Sequence, residues 1–310
     1  MPPSLVSLHL GNERRFSYEL VVGSLPNSLT ELSYSPSYSQ PCDPSVLPRS
    51  LTSITLGYGA LIQGEYPTSL RHLVFQYHNN FDQDIIPNIP SLRSLVLVLD
   101  KDIALGMIPS TITSLKLPRF RMGIESRALP SSLTELVLDD TFDLSKLRAG
   151  ILPESLKRLK LKGPPFSSKS ASKMVLPGGL THLTMAGLAQ LEYVPAAAKV
   201  AHVRVGLQLG SGFRPVMSPL LAPIGTLSLA VDKHSNNLSL QYGDDELPLS
   251  MDLCAQLIKH AIESVPNVDR YTASLKHPPA KARWCLVDEK HAIACITCKG
   301  VTCFKSLAYK

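Results

Sequence analysis

Apolar positions recur along this chain as L-x-x-L-x-L, eleven times between residues 5 and 229. The opening residues are Leu5, Leu29, Leu51, Leu70, Leu92, Ile112, Leu133, Leu156, Leu180, Val200 and Ile224, in steps of 19 to 24 residues. A period in the twenties with this spacing marks a solenoid of stacked coils. Inside each copy the second and third apolar positions alternate with their neighbours. In Leu133-Thr134-Glu135-Leu136-Val137-Leu138, for example, Leu136 and Leu138 alternate with Glu135 and Val137, the period of a strand. Leu133 turns inward just before that strand. One such strand is too short to stand alone. Eleven side by side predict a parallel sheet with a leucine core behind it, a row roughly 50 Å long at ~4.8 Å per strand.

The residues leading into each strand are patterned too. Proline lies three before the opening residue in eight copies, at positions 2, 26, 48, 67, 109, 130, 153 and 177. Its fixed φ and missing N–H suit a turn, not a ladder. Serine or threonine directly precedes the opening residue in eight copies: Ser4, Ser28, Ser50, Ser69, Ser91, Thr111, Ser132 and Ser155. Hydroxyls there are expected to satisfy backbone groups of the turn. Phosphorylation of the same hydroxyls is the weaker reading, because the serines track the coil geometry.

The Leu-Pro-x-Ser-Leu-x-x-Leu-x-Leu core resembles the FNIP repeat, a subclass of leucine-rich repeat. Gly23, Gly64, Gly106 and Gly150, each three before a proline, fit the same pattern. Tyr38-Ser39-Gln40-Pro41 is similar to the family's Phe-Asn-Gln-Pro turn, and Phe81-Asp82-Gln83-Asp84-Ile85 is a looser match. The resemblance covers about residues 1–230. It implies a leucine-rich-repeat-type solenoid and a role in binding other proteins. Members are known mainly from amoebae and the large viruses that infect them. Some carry an F-box, which implies recruitment of substrates to a ubiquitin ligase. No F-box-like stretch precedes Leu5.

Beyond about residue 232 the repeat stops; the copies at Val200 and Ile224 already lack the Pro-x-Ser lead-in. A short strand is expected over 238–242. Ser250 to Val265 reads as an amphipathic helix, capped by Ser250, with Leu253, Leu257, Ile258 and Ile262 on one face. Lys276-His277-Pro278-Pro279 reads as a linker-like break, followed by strands at 284–287, 292–297 and 301–304. The expected architecture is therefore α/β: a solenoid over 1–232 with a parallel sheet on one face, and a small α/β cap over 233–310 covering its end.

The three x positions of each copy should line the exposed sheet face. Their basic residues are Arg71, Arg93, Lys116, Lys157, Arg158, Lys160 and Arg204; their acidic residues are Glu31 and Glu135. The face thus holds a net +5 of the chain's formal +6. His72, His182 and His202 fall in one column, and charge is densest at Lys157, Arg158 and Lys160. Solvation alone could account for such residues. The sharper expectation is a basic stripe along the concave face that receives an acidic protein segment, using Arg71, His72, Arg93, Lys116, Lys157, Arg158, Lys160, His182, His202 and Arg204. An RNA or polyanion groove ranks below it, since these columns contain no Phe, Tyr or Trp on which bases could stack.

Five of the six cysteines fall in the last sixty residues. Cys295-x2-Cys298 with Cys285, Cys303 and His291 offers one half of a zinc site. Free thiols packed as small hydrophobes are the preferred reading, with no cofactor. No phosphate-binding glycine loop or H-E-x-x-H occurs. No local signature marks a catalytic Cys, although Cys254, His260, His291, Asp252 and Asp288 are available. Without an apolar leader or a membrane-length apolar run, a cytoplasmic, non-catalytic interaction module is the expectation. A ubiquitin-ligase substrate receptor and a polyanion-binding protein are its alternatives.

Overall fold

The structure, a computed structural model, describes residues 1–10, 20–36, 43–57, 64–76, 89–139, 141–162, 174–187, 190, 193–195, 198–208, 224–232, 268–275, 280–286, 291–298 and 301–308. The expected strand at 238–242 and helix at 250–265 lie outside these residues. Among the described residues, helix is limited to short 3-10 turns, among them Pro44–Val46 and Leu144–Lys146. The chain divides into two compact units, Met1–Leu156 and Lys157–Lys310.

The first unit is a leucine-rich-repeat-type array of short parallel strands: β1 (Ser7–Leu10), β2 (Glu31–Tyr34), β3 (Ser53–Leu56), β4 (His72–Phe75), β5 (Ser94–Val96), β6 (Ser114–Leu117) and β7 (Glu135–Leu138). Each pairs with the next in chain order. Every strand begins two residues after the opening residue of its repeat. The register stacks Leu8, Leu32, Ile54, Leu73, Leu95, Leu115 and Leu136 into one row. From Leu29 to Leu133, the opening residues are fully buried.

Proline acts where its chemistry predicts. In each Pro-x-Ser-Leu segment, the N–H of the opening residue donates to the carbonyl three residues earlier, as in Leu51 to Pro48 and Leu133 to Pro130, both at 3.0 Å. The serine hydroxyl then reaches the coil before it. Ser50 donates to the Leu29 carbonyl at 2.6 Å, Ser91 to Leu70 at 2.8 Å, Ser132 to Ile112 at 2.6 Å and Ser155 to Leu133 at 2.7 Å. A second ladder runs beside it: Thr52 Oγ1 donates to the Thr30 carbonyl, Thr113 to Arg93 and Thr134 to Thr113. Carbonyls at the strand lead-in thus gain side-chain donors.

On the far side of the coils, Gly150 sits at φ +78°, a left-handed conformation in which a side chain would also meet Ser126 Oγ 2.7 Å from its Cβ. Phe120 and Phe142 stack there in parallel at 5.7 Å, both buried.

The second unit continues the parallel mode through β8 (Arg158–Leu161), β9 (His182–Met185), β10 (Val200–Gln208), β11 (Ile224–Asp232) and β12 (Val268–Leu275). It then turns antiparallel through β13 (Ala280–Leu286), β14 (His291–Cys298) and β15 (Val301–Ala308). One sequence reading changes here. Val268 stands in register with Ile224, so β12 occupies the next coil position although its sequence, Val-Asp-Arg-Tyr-Thr-Ala, lacks the leucines of the motif. The residues on either side of 276–279 are paired strands, with Leu275 opposite Ala280; the linker-like break itself lies outside the described residues.

Candidate interaction surface

Strand alternation decides which side chains reach the surface. With the opening residue and the third and fifth positions buried after it, the remaining positions of each repeat face outward. All ten predicted binding residues are exposed: Arg71, His72, Arg93, Lys116, Lys157, Arg158, Lys160, His182, His202 and Arg204.

In the first unit these groups are dispersed. His72 stands in register between Ser53 and Ser94, and Lys116 between Val96 and Val137. Arg71 and Arg93 are engaged with the turns. Arg71 Nη1 donates to the Ser91 carbonyl at 3.1 Å, and Arg93 Nη1 donates to the Pro90 and Leu92 carbonyls at 3.0 and 2.9 Å. The Leu92 carbonyl is the one that the serine-ladder pattern assigns to Thr111. With Arg93 on it, the Thr111 hydroxyl is buried without a hydrogen-bond partner. The uniform basic stripe expected from sequence is therefore interrupted in this unit by Ser, Thr and Val, and two of its cations serve the backbone.

In the second unit the same columns converge. Arg158, His182 and His202 are consecutive register partners, followed by Thr226 and Arg270. One step along the strands, Lys160, Thr184, Arg204 and Ser228 form a parallel row. Lys157 lies beside them at the strand lead-in, where its carbonyl accepts from Thr181 Oγ1 at 3.0 Å. The strands β8, β9 and β10 contain no Asp or Glu.

The imidazoles of His182 and His202 are 4.7 Å apart between ring centres and tilted by 36°. Thr181 Oγ1 lies 2.9 Å from His182 Nδ1. The hydroxyl has one proton, and it goes to the Lys157 carbonyl, so Nδ1 is the donor to the oxygen and Nε2 is the nitrogen left to accept a proton. Desolvation, then the neighbouring His202 and Arg158 charges, hold the His182 pKa below its ordinary value of 6.5. The ring is neutral at neutral pH.

The cysteines of the zinc alternative lie on β13, β14 and β15. Cys295 and Cys298 both lie inside β14 and not on a turn. They lie three positions apart along the strand, which puts their positions on opposite faces. By register, Cys285 shares the face of Cys295, and Cys303 that of Cys298. Among the described residues, no cluster of three or more His, Cys, Asp or Glu side chains is placed to hold a metal. Sequence reasoning passed over Arg283, which is exposed on β13 and opposite Thr272 of β12. Its place on this face is visible only once β12 is put in register with the repeats.

No helix of the described residues is long and apolar enough to cross a membrane. The chain matches the FNIP repeat family over residues 16–59 and 122–161. No curated protein matches it. Among solved structures it is similar to CroV588, a giant-virus protein described as a novel circular LRR protein. The two share 28% identity over 74% of this chain, with a TM-score of 0.56. That stretch spans about a third, 34%, of CroV588.

Proposed function

We propose that this chain of FNIP repeats, folded as a leucine-rich-repeat-type solenoid, is a non-catalytic protein-interaction module of the cytoplasm that receives an acidic segment on the exposed strand face. In this reading the repeats through residue 232 form the recognition surface and residues 233–310 the cap. The observation that carries the reading is the second unit's patch. Lys157, Arg158, Lys160, His182, His202 and Arg204 are all exposed on three consecutive strands that contain no acidic residue. Clustered like charge steers and orients an oppositely charged partner. The dispersed first-unit residues Arg71, His72, Arg93 and Lys116 play a lesser part, and Arg71 and Arg93 already hold backbone carbonyls.

Repeat arrays of this kind present extended surfaces. An extended acidic segment crossing β8 to β10 meets both basic rows at once. Affinity capture with the full chain, compared with a Lys157→Glu, Arg158→Glu, Lys160→Glu variant, tests the reading. The expected result is a protein partner retained by the wild type and lost by the variant. Partners unchanged by the charge reversal would refute it. Captured RNA, with binding that falls steeply with salt, would favour a polyanion groove instead.

A further inference from the structure

We propose that the His182–His202 pair makes this surface proton-gated: an acidic segment seated across β8 to β10 draws protons onto the pair, and binds more tightly as the pH falls from 7.5 to 5.8. The proposal rests on the recognition reading above and adds its regulation.

The geometry sets up the coupling. Two imidazoles on adjacent strands lie 4.7 Å apart, with Arg158 the register partner of His182 on the other side. The groups facing the pair can be named strand by strand. On β8 they are Arg158 and Lys160, with Lys157 at the lead-in; on β10, His202 itself and Arg204; on β9, the hydroxyls Thr181 and Thr184; the positions in register on β11 are Thr226 and Ser228. Further along the register stands Arg270. None of these groups is acidic, and β8, β9 and β10 contain no Asp or Glu to compensate a positive imidazole.

Protonation of His182 in the empty surface therefore works against its desolvation and its neighbours, the direction in which burial, then His202 and Arg158, push it. A partner carboxylate above the pair reverses the balance. It meets the Arg158 guanidinium, and its charge makes imidazolium favourable at His182. His182 has its Nδ1–H held by Thr181, so the added proton goes to Nε2. Linkage then requires that whatever raises proton affinity on binding must bind better at lower pH. Aspartate, with an ordinary pKa of about 3.9, stays ionised through this window, while histidine, at about 6.5, titrates inside it.

The test uses the full chain and a fluorescein-labelled octa-aspartate peptide, read by anisotropy at constant ionic strength at pH 7.5 and 5.8. Wild type is expected to bind up to about fivefold more tightly at pH 5.8, the change across this window for one unit of raised proton affinity on one ring. A His182→Gln, His202→Gln variant is expected to lose the gain, binding the peptide equally at the two pH values whatever its affinity at pH 7.5. Both rings are exposed, so the fold should survive the change, and circular dichroism confirms it. Equal wild-type affinity at the two pH values overturns the gating, as does a gain retained by the double variant; either result leaves the recognition reading standing. Binding at pH 7.5 that survives Lys157→Glu, Arg158→Glu, Lys160→Glu overturns the recognition reading, and the gating with it. Absence of peptide binding by wild type at both pH values also overturns the proposal.

Discussion

Removing the serine hydroxyls from alternate coils should show how much of the array's stability comes from side-chain bonds between coils. Ser50, Ser91 and Ser132 each donate to a carbonyl of the preceding coil, at 2.6, 2.8 and 2.6 Å. Each Ser→Ala change deletes the donor and leaves the carbonyl short of a partner. The net cost of such a loss is about 1 kcal/mol. The three sites lie two strands apart, about 10 Å at ~4.8 Å per strand, so their effects should add, to about 3 kcal/mol in the triple variant. All three belong to the first unit and report on one unfolding transition. Thr111 supplies the control. It occupies the same position in its repeat, but its buried hydroxyl has no partner because Arg93 holds the Leu92 carbonyl. Thr111→Val replaces an unsatisfied hydroxyl by a methyl group of similar shape, and should be neutral or stabilise by up to about 1 kcal/mol. Equilibrium urea unfolding measures both, with an unchanged m-value as the sign that only stability moved. A triple variant within about 0.5 kcal/mol of wild type would refute the reasoning, because that is the range of an ordinary surface substitution. So would a Thr111→Val variant as destabilised as Ser91→Ala.

Four further outcomes follow from particular residues. Gly23→Ala should cost about 1 kcal/mol for its positive φ alone, since its Cβ would meet nothing. Gly150→Ala should cost more, because its Cβ would meet Ser126 Oγ at 2.7 Å, and Ser126→Ala should recover the excess in thermal melts. Phe142→Ala removes a buried ring stacked on Phe120 and should cost about 3–5 kcal/mol, seen as a lower urea midpoint. Because the folded state lowers the His182 pKa, the unfolded chain binds more protons as the pH falls through and below 6.5. Stability of the unliganded protein should therefore decline in that window, and His182→Gln should flatten its unfolding free energy between pH 7 and 5.

The array was legible in the sequence wherever one residue type does one geometric job. Leu29, Leu51 and Leu133 are buried because the coil leaves their position no other environment, and Pro48 or Pro130 opens a turn because its ring dictates φ. The serines were readable as turn donors, but their acceptors were not. The Leu29 carbonyl becomes the partner of Ser50 only once two coils are stacked. The same holds for Arg71 and Arg93, which look like free surface cations in a linear chain and meet turn carbonyls in the folded one. β12 went unseen because Tyr271 and Ala273 stand where the motif has leucines, and because Val268 comes 44 residues after Ile224, about two periods on. Cys295-x2-Cys298 misled because its spacing suits a turn, whereas the segment is a strand whose period of two splits the pair. Of the ten candidate binding residues, exposure was predictable from alternation. The convergence of Arg158, His182 and His202 needed the register, although all three share one motif position.

The serine ladder joins a side-chain donor in one coil to a main-chain acceptor in the coil before. Every residue has a carbonyl, so the acceptor side places no demand on sequence. Any coil that begins Ser-Leu can follow any other and find its bond waiting. Whole coils can therefore be duplicated, deleted or exchanged by recombination without a compensating change in their neighbours, and the length of the array is free to drift. Apart from Arg93, which holds the Leu92 carbonyl, the outward residues named above have no part in the serine joint. Each coil can thus take on its own surface chemistry, as Lys157, Arg158 and Lys160 have in theirs, while the joint that holds it stays the same.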